Sequence, residues 1–338
     1  MINNQWLLKR RPAGTVSRDD FDFVSGGIPE LDDGDVLVRV LYCGYDASQR
    51  IWLTDDGGYM APIQIGEPMR CMGIGQVVES RDPGYAPGDI VEGFMSWQNY
   101  AVVRGDGPMP LRILPRADYP LTWNLGVFSV GGLTAYFGVV DGLKAGPGDT
   151  VLISAATGAT GSLAGGIAKA MGAKKVIGTA GGADKCRWIL ETGMFDAAID
   201  YTADFDARLR EEAPEGVTAF FDSVGGDMLD SVLLQMAPHG RILICGAMSQ
   251  GYTDVRLQGP ANYMRIATHN LTVRGILLFY YRDRLAEGAL QMAQWVSEGK
   301  LCVAEHVVEG LKKAPDLLPT LFTGKEPGKL ILKIADPV

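Results

Sequence analysis

Histidine is scarce in this chain: three residues, His239, His269 and His306, stand far apart, and none sits at metal-ligand spacing. The five cysteines (Cys43, Cys71, Cys186, Cys245, Cys302) are odd in number and scattered, with no CxxC pair. They read as reduced thiols, and a disulfide framework is excluded. No apolar run approaches the roughly 20 residues that span a bilayer. The opening MINNQWLLKRRPAG has no apolar stretch of signal-peptide length, so the expected location is cytoplasmic. Positive charge is also short, 31 Lys and Arg against 40 Asp and Glu, for a net charge of -9. That balance excludes broad binding to nucleic acid or to an anionic membrane, while leaving room for local basic pockets.

Length and glycine are plentiful. A chain of 338 residues with 44 glycines accommodates two domains joined by many tight turns. Between about 30 and 120, short apolar runs such as DVLVRVLYCG, GIGQVVES, DIVEGFM and YAVVRGD are broken by turn signals, which predicts an irregular β domain. From about 150 the rhythm becomes strand and helix in alternation. DTVLISAA, KKVIGTA, AAIDY, VTAFFDSVGG, RILICGA and LTVRGILLFY predict six strands of a parallel, doubly wound α/β sheet. The tail HVVEGLKKAPDLLPTLFTGKEPGKLILKI predicts a helix and a β-rich end whose last strand returns to the first domain. The expected boundaries are 1–123 with 302–338 for one domain and 124–301 for the other.

The stretch SAATGATGSLAGGIAK, residues 154–169, carries the first functional signal. Ala155, Thr157, Gly158, Ala159, Thr160 and Gly161 form an A-x-x-G-x-x-G turn between a strand and a helix. Bare glycines there let a pyrophosphate approach, and the first N–H groups of the helix attract its charge. Small-residue packing of helix on sheet is the alternative for the glycines alone. The strand before the loop and the second strand after it favour the cradle. That second strand ends Thr179-Ala180-Gly181-Gly182, without the carboxylate that would bind the ribose hydroxyls of NAD, and Lys185 follows within one turn. A small-residue floor beside an ammonium suits the extra 2′-phosphate of NADP(H). Tyr201, at the end of the third strand, can cover the same phosphate or simply end the strand.

At this point GLTAYFGVVD, SAATGATGSLAGGIAKAMGAKKVIGTAGGADKCRWI and FFDSVGGDMLDSVLLQMAPHGRILICGAMSQGY resemble the medium-chain dehydrogenase/reductase superfamily. Within it they resemble the zinc-independent branch of prostaglandin reductases, alkenal/one double-bond reductases and bacterial curcumin reductase. The resemblance implies a Rossmann domain beside an irregular β barrel-like (GroES-like) catalytic domain, a substrate cleft between them, and a homodimer joined through the nucleotide domains. It implies hydride transfer from NADPH to the β-carbon of an enone or enal, then protonation at the α-carbon. It places Lys185 and Tyr201 at the 2′-phosphate, Ser223, Gly246 and Glu326 along the cofactor, and Tyr252 near the nicotinamide, as the candidate catalytic hydroxyl. Asp46 and Cys71-Met72 stand where zinc-dependent relatives carry Cys and a His-Glu pair, and residues 72–185 lack the cysteines of a structural zinc lobe, so no metal is expected.

The substrate half departs from the pattern. Relatives tend to read Asp-Pro-Tyr-Met-Arg where this chain has Asp46-Ala47-Ser48-Gln49-Arg50, so a pocket tyrosine becomes the smaller Ser48. Ser223 replaces a usual Asn, and Glu326 replaces the Asn of an Asn-x-Gly-Lys signature. An ionised Glu326 beside the nicotinamide would favour the oxidised ring, whereas Pro327 can instead turn it to water. Tyr42, Trp52, Met69 and Phe128 are pocket-wall candidates with core packing as the alternative; Tyr280 and Tyr281, at the end of the sixth strand, can wall the cleft or a dimer interface. The expected partner is a small conjugated carbonyl, without nucleic acid or membrane. Reduction of a carbonyl or quinone, and NADPH binding without turnover, are the competing functions.

Overall fold

A computed structural model of the chain describes residues 1–104, 110–253, 259–324 and 326–338. Strands β1 (Ile2–Leu8) and β2 (Phe21–Gly27) pair antiparallel as a two-stranded ribbon. Then come β3 (Asp35–Gly44), β4 (Met72–Ser80), β5 (Ile90–Phe94), β6 (Tyr100–Arg104) and the short β7 (Arg112–Ile113). They are antiparallel throughout, with β3 paired to both β4 and β6. Because β3 is covered on both faces, its apolar run is nearly continuous rather than alternating.

The second half alternates as its sequence does. Helix α1 (Val130–Phe137) leads into β8 (Thr150–Ile153), α2 (Ala159–Ala170), β9 (Lys175–Ala180), α3 (Ala183–Glu191) and β10 (Ala197–Asp200). Helix α4 (Phe205–Glu212), β11 (Val217–Asp222), α5 (Gly226–Gln235), β12 (Met236–Ile244), α6 (Met264–Thr268), β13 (Thr272–Gly275) and α7 (Leu285–Ser297) follow. The six strands are parallel in the order β10-β9-β8-β11-β12-β13, so chain direction across the sheet switches between β8 and β11. Period-two alternation divides the core: Val151 and Ile153 face a layer holding Leu133, Leu163, Ile167 and Met292, while Leu152, Ile177 and Phe220 face Leu209, Val232 and Leu233. Each fully buried side chain of this size contributes about 1.5–3 kcal/mol.

The tail differs from a single helix and strand. Pro315 and Pro319 divide it into short pieces between β14 (Glu305–Glu309) and β15 (Lys329–Lys333). β14 pairs parallel with β15, and β15 pairs antiparallel with β3, so the chain's last strand lies in the first sheet. The expected strand LTVRGILLFY is also shorter. It leaves the ladder after Gly275, and Leu278–Arg284 form a 3-10 turn, so Tyr280 and Tyr281 lie beyond the strand rather than at its end. No helix among the described residues is long and apolar enough to cross a membrane.

Candidate active site at the switch of the parallel sheet

Open α/β sheets bind ligands beyond the carboxyl ends of their strands, where strand order reverses. Here that place is the gap after β8 and β11, and the glycine loop occupies it. Ala155 adopts a left-handed conformation (φ 49°) directly after the strand, a costly geometry that tends to mark functional loops. Gly158 begins α2, and its N–H donates to the Ala155 carbonyl at 2.9 Å. Gly161 admits no side chain, because a Cβ there would stand 2.3 Å from the Ala155 oxygen. Thr157, Ala159 and Thr160 are half-buried around the helix start. Its free N–H groups thus face an open, small-residue cradle suited to a pyrophosphate.

The neighbouring strand ends supply the remaining walls. Thr179 is fully buried with its hydroxyl directed to the Met228 sulfur at 3.7 Å, so its side chain serves the core. Gly181 lies under the Tyr201 ring, whose Oη would be 2.9 Å from a Cβ at that position. Tyr201 itself is half exposed. Lys185 is half-buried, has no ion-pair partner among the described residues, and its Nζ would lie 3.3 Å from a Cβ on Gly324. An unpaired ammonium beside a carboxylate-free strand end fits an added phosphate. Asp200 is nearby but spent: it accepts from the Gly182 N–H and from the Thr202 N–H and hydroxyl, which hold it below the usual carboxylate range.

At the end of β11, Asp222 is wholly buried. Its Oδ1 accepts from the Ser154 hydroxyl at 3.2 Å and from the N–H groups of Val224 and Gly225 at 2.9 Å each. Burial outweighs these bonds and raises its pKa. Next to it, the Ser223 hydroxyl is buried without a hydrogen-bond partner, an orphan polar atom at the edge of the cleft. Beyond β12, Gly246 must lack a side chain, since a Cβ would come 2.4 Å from the Tyr252 hydroxyl. Gly251 and Tyr252 both have positive φ (68° and 50°), and this double turn folds the Tyr252 ring back over Gly246. The Ala247 N–H donates to its phenolic oxygen at 2.9 Å, and burial pushes the phenol up to about 12. Phe322 from the tail packs against the ring at 6.1 Å.

The tail and the first domain close the opposite side. Gly328 donates to the Thr157 carbonyl at 2.8 Å and forms an isolated bridge with Gly158, so the segment after Glu326 rests on the glycine loop. Glu326 itself is exposed. Asp46 is not poised for a metal: the buried Lys329 ammonium reaches its Oδ1 at 2.5 Å, across 283 residues of sequence. Cys71 is buried beside Cys43. Among the described residues no three His, Cys, Asp or Glu side chains converge as metal ligands. The donor set does not fit a catalytic zinc, whereas the cradle, the orphan Ser223 hydroxyl and the unpaired Lys185 fit a phosphorylated dinucleotide.

The pocket-wall candidates separate. Trp52 is buried, and Ser48 is half-buried close by. Met69 sits wholly within the core of the first domain, Phe128 packs on Tyr119 and Trp123, and Tyr42 packs with Met72 and Ile90 on a separate cluster. Tyr281 stacks on Phe137 at 4.4 Å and accepts from Arg274, while Tyr280 is 87% exposed. Two residues that the sequence did not single out meet across the cleft instead: Tyr59, after β3, and Phe279, after β13, with ring centroids 5.8 Å apart. The paired glycines before Tyr59 were its one visible signal.

Two family models match the chain: the N-terminal domain of oxidoreductase over residues 4–111, and zinc-binding dehydrogenase over residues 159–295. The NADPH-dependent curcumin reductase of Escherichia coli (strain K12) is 33% identical over 341 residues, covering 98% of this chain and 97% of its own. Prostaglandin reductase 1 of Mus musculus is 35% identical over 334 residues, covering 97% and 98%. The crystal structure of CurA in complex with NADPH from Vibrio vulnificus superposes with a TM-score of 0.91 at 33% identity, covering 99% of this chain and 100% of that one. Sequence and architecture agree over nearly the whole length, and the chain belongs to the medium-chain dehydrogenase/reductase superfamily, in the branch of the prostaglandin, 2-alkenal and curcumin reductases.

Proposed function

We propose that this protein is an NADPH-dependent reductase that delivers hydride to the β-carbon of an α,β-unsaturated ketone or aldehyde without a metal. The observation that carries the reading is the Tyr252 phenol. It accepts one hydrogen bond from Ala247 and keeps its own proton at the mouth of a dinucleotide cradle. NADPH bound in that cradle supplies the hydride. The α2 N-terminus neutralises the pyrophosphate, and Lys185 with Tyr201 holds the 2′-phosphate. Hydride arrival at the β-carbon moves electrons toward the carbonyl oxygen, where a positioned O–H donor lowers the barrier. Tyr252 is that donor or the source of the proton that completes the α-carbon, and the product is the saturated carbonyl. Asp46, paired with Lys329, takes no part as a ligand.

The reading includes a homodimer. Strand β13 ends the parallel sheet, all four of its residues are exposed, and among the described residues its outer edge has no partner strand. Such an edge pairs readily with its own copy.

Cofactor absorbance with NADPH and NADH against enals, enones, quinones, ketones and alcohols tests the proposal. Turnover of conjugated double bonds with NADPH is expected. Turnover confined to carbonyls lacking such a bond would overturn it, and binding without any turnover would favour a sensor. Lys185→Ala should raise the NADPH KM by about tenfold or more while leaving NADH nearly unchanged, as expected for loss of a charge-assisted contact of about 1.5–3 kcal/mol. Equal loss for both cofactors would remove Lys185 from the phosphate.

A further inference from the structure

The loop LTDDGGYMAP is built to present one side chain. Gly57 and Gly58 both take φ 67°, and a Cβ on Gly57 would stand 2.3 Å from the Met60 oxygen, so the chain reverses sharply just before Tyr59. The turn is pinned from behind: Asp56 accepts from the Gly58 N–H at 2.9 Å and from the Thr54 hydroxyl at 3.1 Å, and Thr54 accepts from the Gly57 N–H. Arg70 fastens the far end by donating to the Ala61 carbonyl while its guanidinium lies over the Trp52 ring. Order of this kind around an aromatic ring that stays 42% exposed is costly for a surface loop unless the ring has work to do.

Its surroundings indicate that work. The Tyr59 phenol lies beside the Ser48 hydroxyl and the buried Trp52 indole N–H, within hydrogen-bonding reach of both. Its ring meets Phe279 edge-on from the other domain, and it is close enough to Tyr252 for the two phenols to interact electrostatically. Ser48, where relatives tend to carry a pocket tyrosine, stands beside the Tyr59 phenol. We infer that Tyr59 is a substrate-binding residue: with Phe279 it grips a planar conjugated carbonyl at the outer end of the cleft, opposite Tyr252. This rests on the reductase reading given above. Tyr59 acts on the substrate and not on the cofactor, and it makes residues 48 and 59 alternative origins for a single pocket phenol.

The test compares Tyr59→Phe, Tyr59→Ala and the double variant Ser48→Tyr/Tyr59→Phe by steady-state kinetics at saturating NADPH, with NADPH affinity measured separately by fluorescence. Tyr59→Phe should raise the enone KM about three- to tenfold, the loss of one neutral hydrogen bond, with kcat within about twofold. Tyr59→Ala should raise it further, the double variant should recover most of the loss, and NADPH affinity should stay constant throughout. An unchanged enone KM in Tyr59→Ala would overturn the inference, as would an NADPH affinity that falls in step with it. So would a double variant that binds NADPH normally yet recovers nothing. A wild-type protein that reduces no enone overturns the double-bond reading alone; the same variants, assayed on whichever quinone or carbonyl is reduced, then decide the role of Tyr59.

Discussion

In the proposed reaction Tyr252 concentrates the chemistry of the site in one hydroxyl. A left-handed backbone aims it, Gly246 makes room for it, and the Ala247 N–H fixes its oxygen so that its hydrogen points elsewhere. With the phenol pushed up to about 12, the protonated, donating form persists across the whole working range. Activity that depends on the protonated phenol is therefore complete below its pKa and is lost only as pH rises through it. Tyr252→Phe should therefore lower kcat by about 100-fold, the usual loss of one transition-state donor. The wild-type kcat profile should show no basic limb from this group below about pH 10; a limb near pH 8 that vanishes in the variant would contradict the assignment. Family likeness pointed to this residue in the sequence. Tyr59 and Lys329 were silent there, because one depends on a pinned loop and the other on a partner 283 residues away.

At the scale of elements, the turn from β11 into α5 shows what the alternating pattern could and could not reveal. The apolar run VTAFFD and the following helix were legible, as was the glycine pair that breaks them. The role of Asp222 was not, because it depends on β8 lying beside β11 and presenting Ser154. One carboxylate oxygen gathers a hydroxyl and two N–H groups, and the other is buried without a partner. Asp222→Ala strands the Val224 and Gly225 N–H groups, while the Ser154 hydroxyl keeps the Phe221 carbonyl, and should cost about 2–4 kcal/mol in chemical denaturation. Asp222→Asn keeps an acceptor and removes the buried charge. Because the folded pKa is raised above the unfolded one, the wild-type carboxyl contributes stability that is present at low pH and lost as pH rises from the ordinary carboxylate value through the raised one. The stability of the Asn variant relative to wild type should thus increase with pH across that window and then level off; a difference that does not vary with pH would show that Asp222 is not buried as an acid.

The whole molecule sets its two large sheets around one cleft, and its tail binds the halves together. The tail contributes β15 to the first sheet and Gly328 to the glycine loop of the second. Glu92 in β5 accepts from Ser129 at the start of α1, tying the halves a second time. In the proposed homodimer the far edge of the parallel sheet is the place for assembly. There Arg274 donates to the Asp141 carbonyl and the Tyr281 hydroxyl, while Val273 stands 42% exposed on the edge strand, which among the described residues pairs only with β12. A two-fold pairing of β13 with its copy would extend the six-stranded sheet across both subunits and cover that valine. A charge placed there is repeated on the partner, so like charges meet at the seam. Val273→Lys should shift the protein from dimer to monomer in sedimentation at micromolar concentration, without loss of NADPH affinity, because the cradle lies at β8 and β11 and not at the sheet edge. A wild-type protein that sediments as a monomer, or a variant that remains fully dimeric, would place the interface elsewhere.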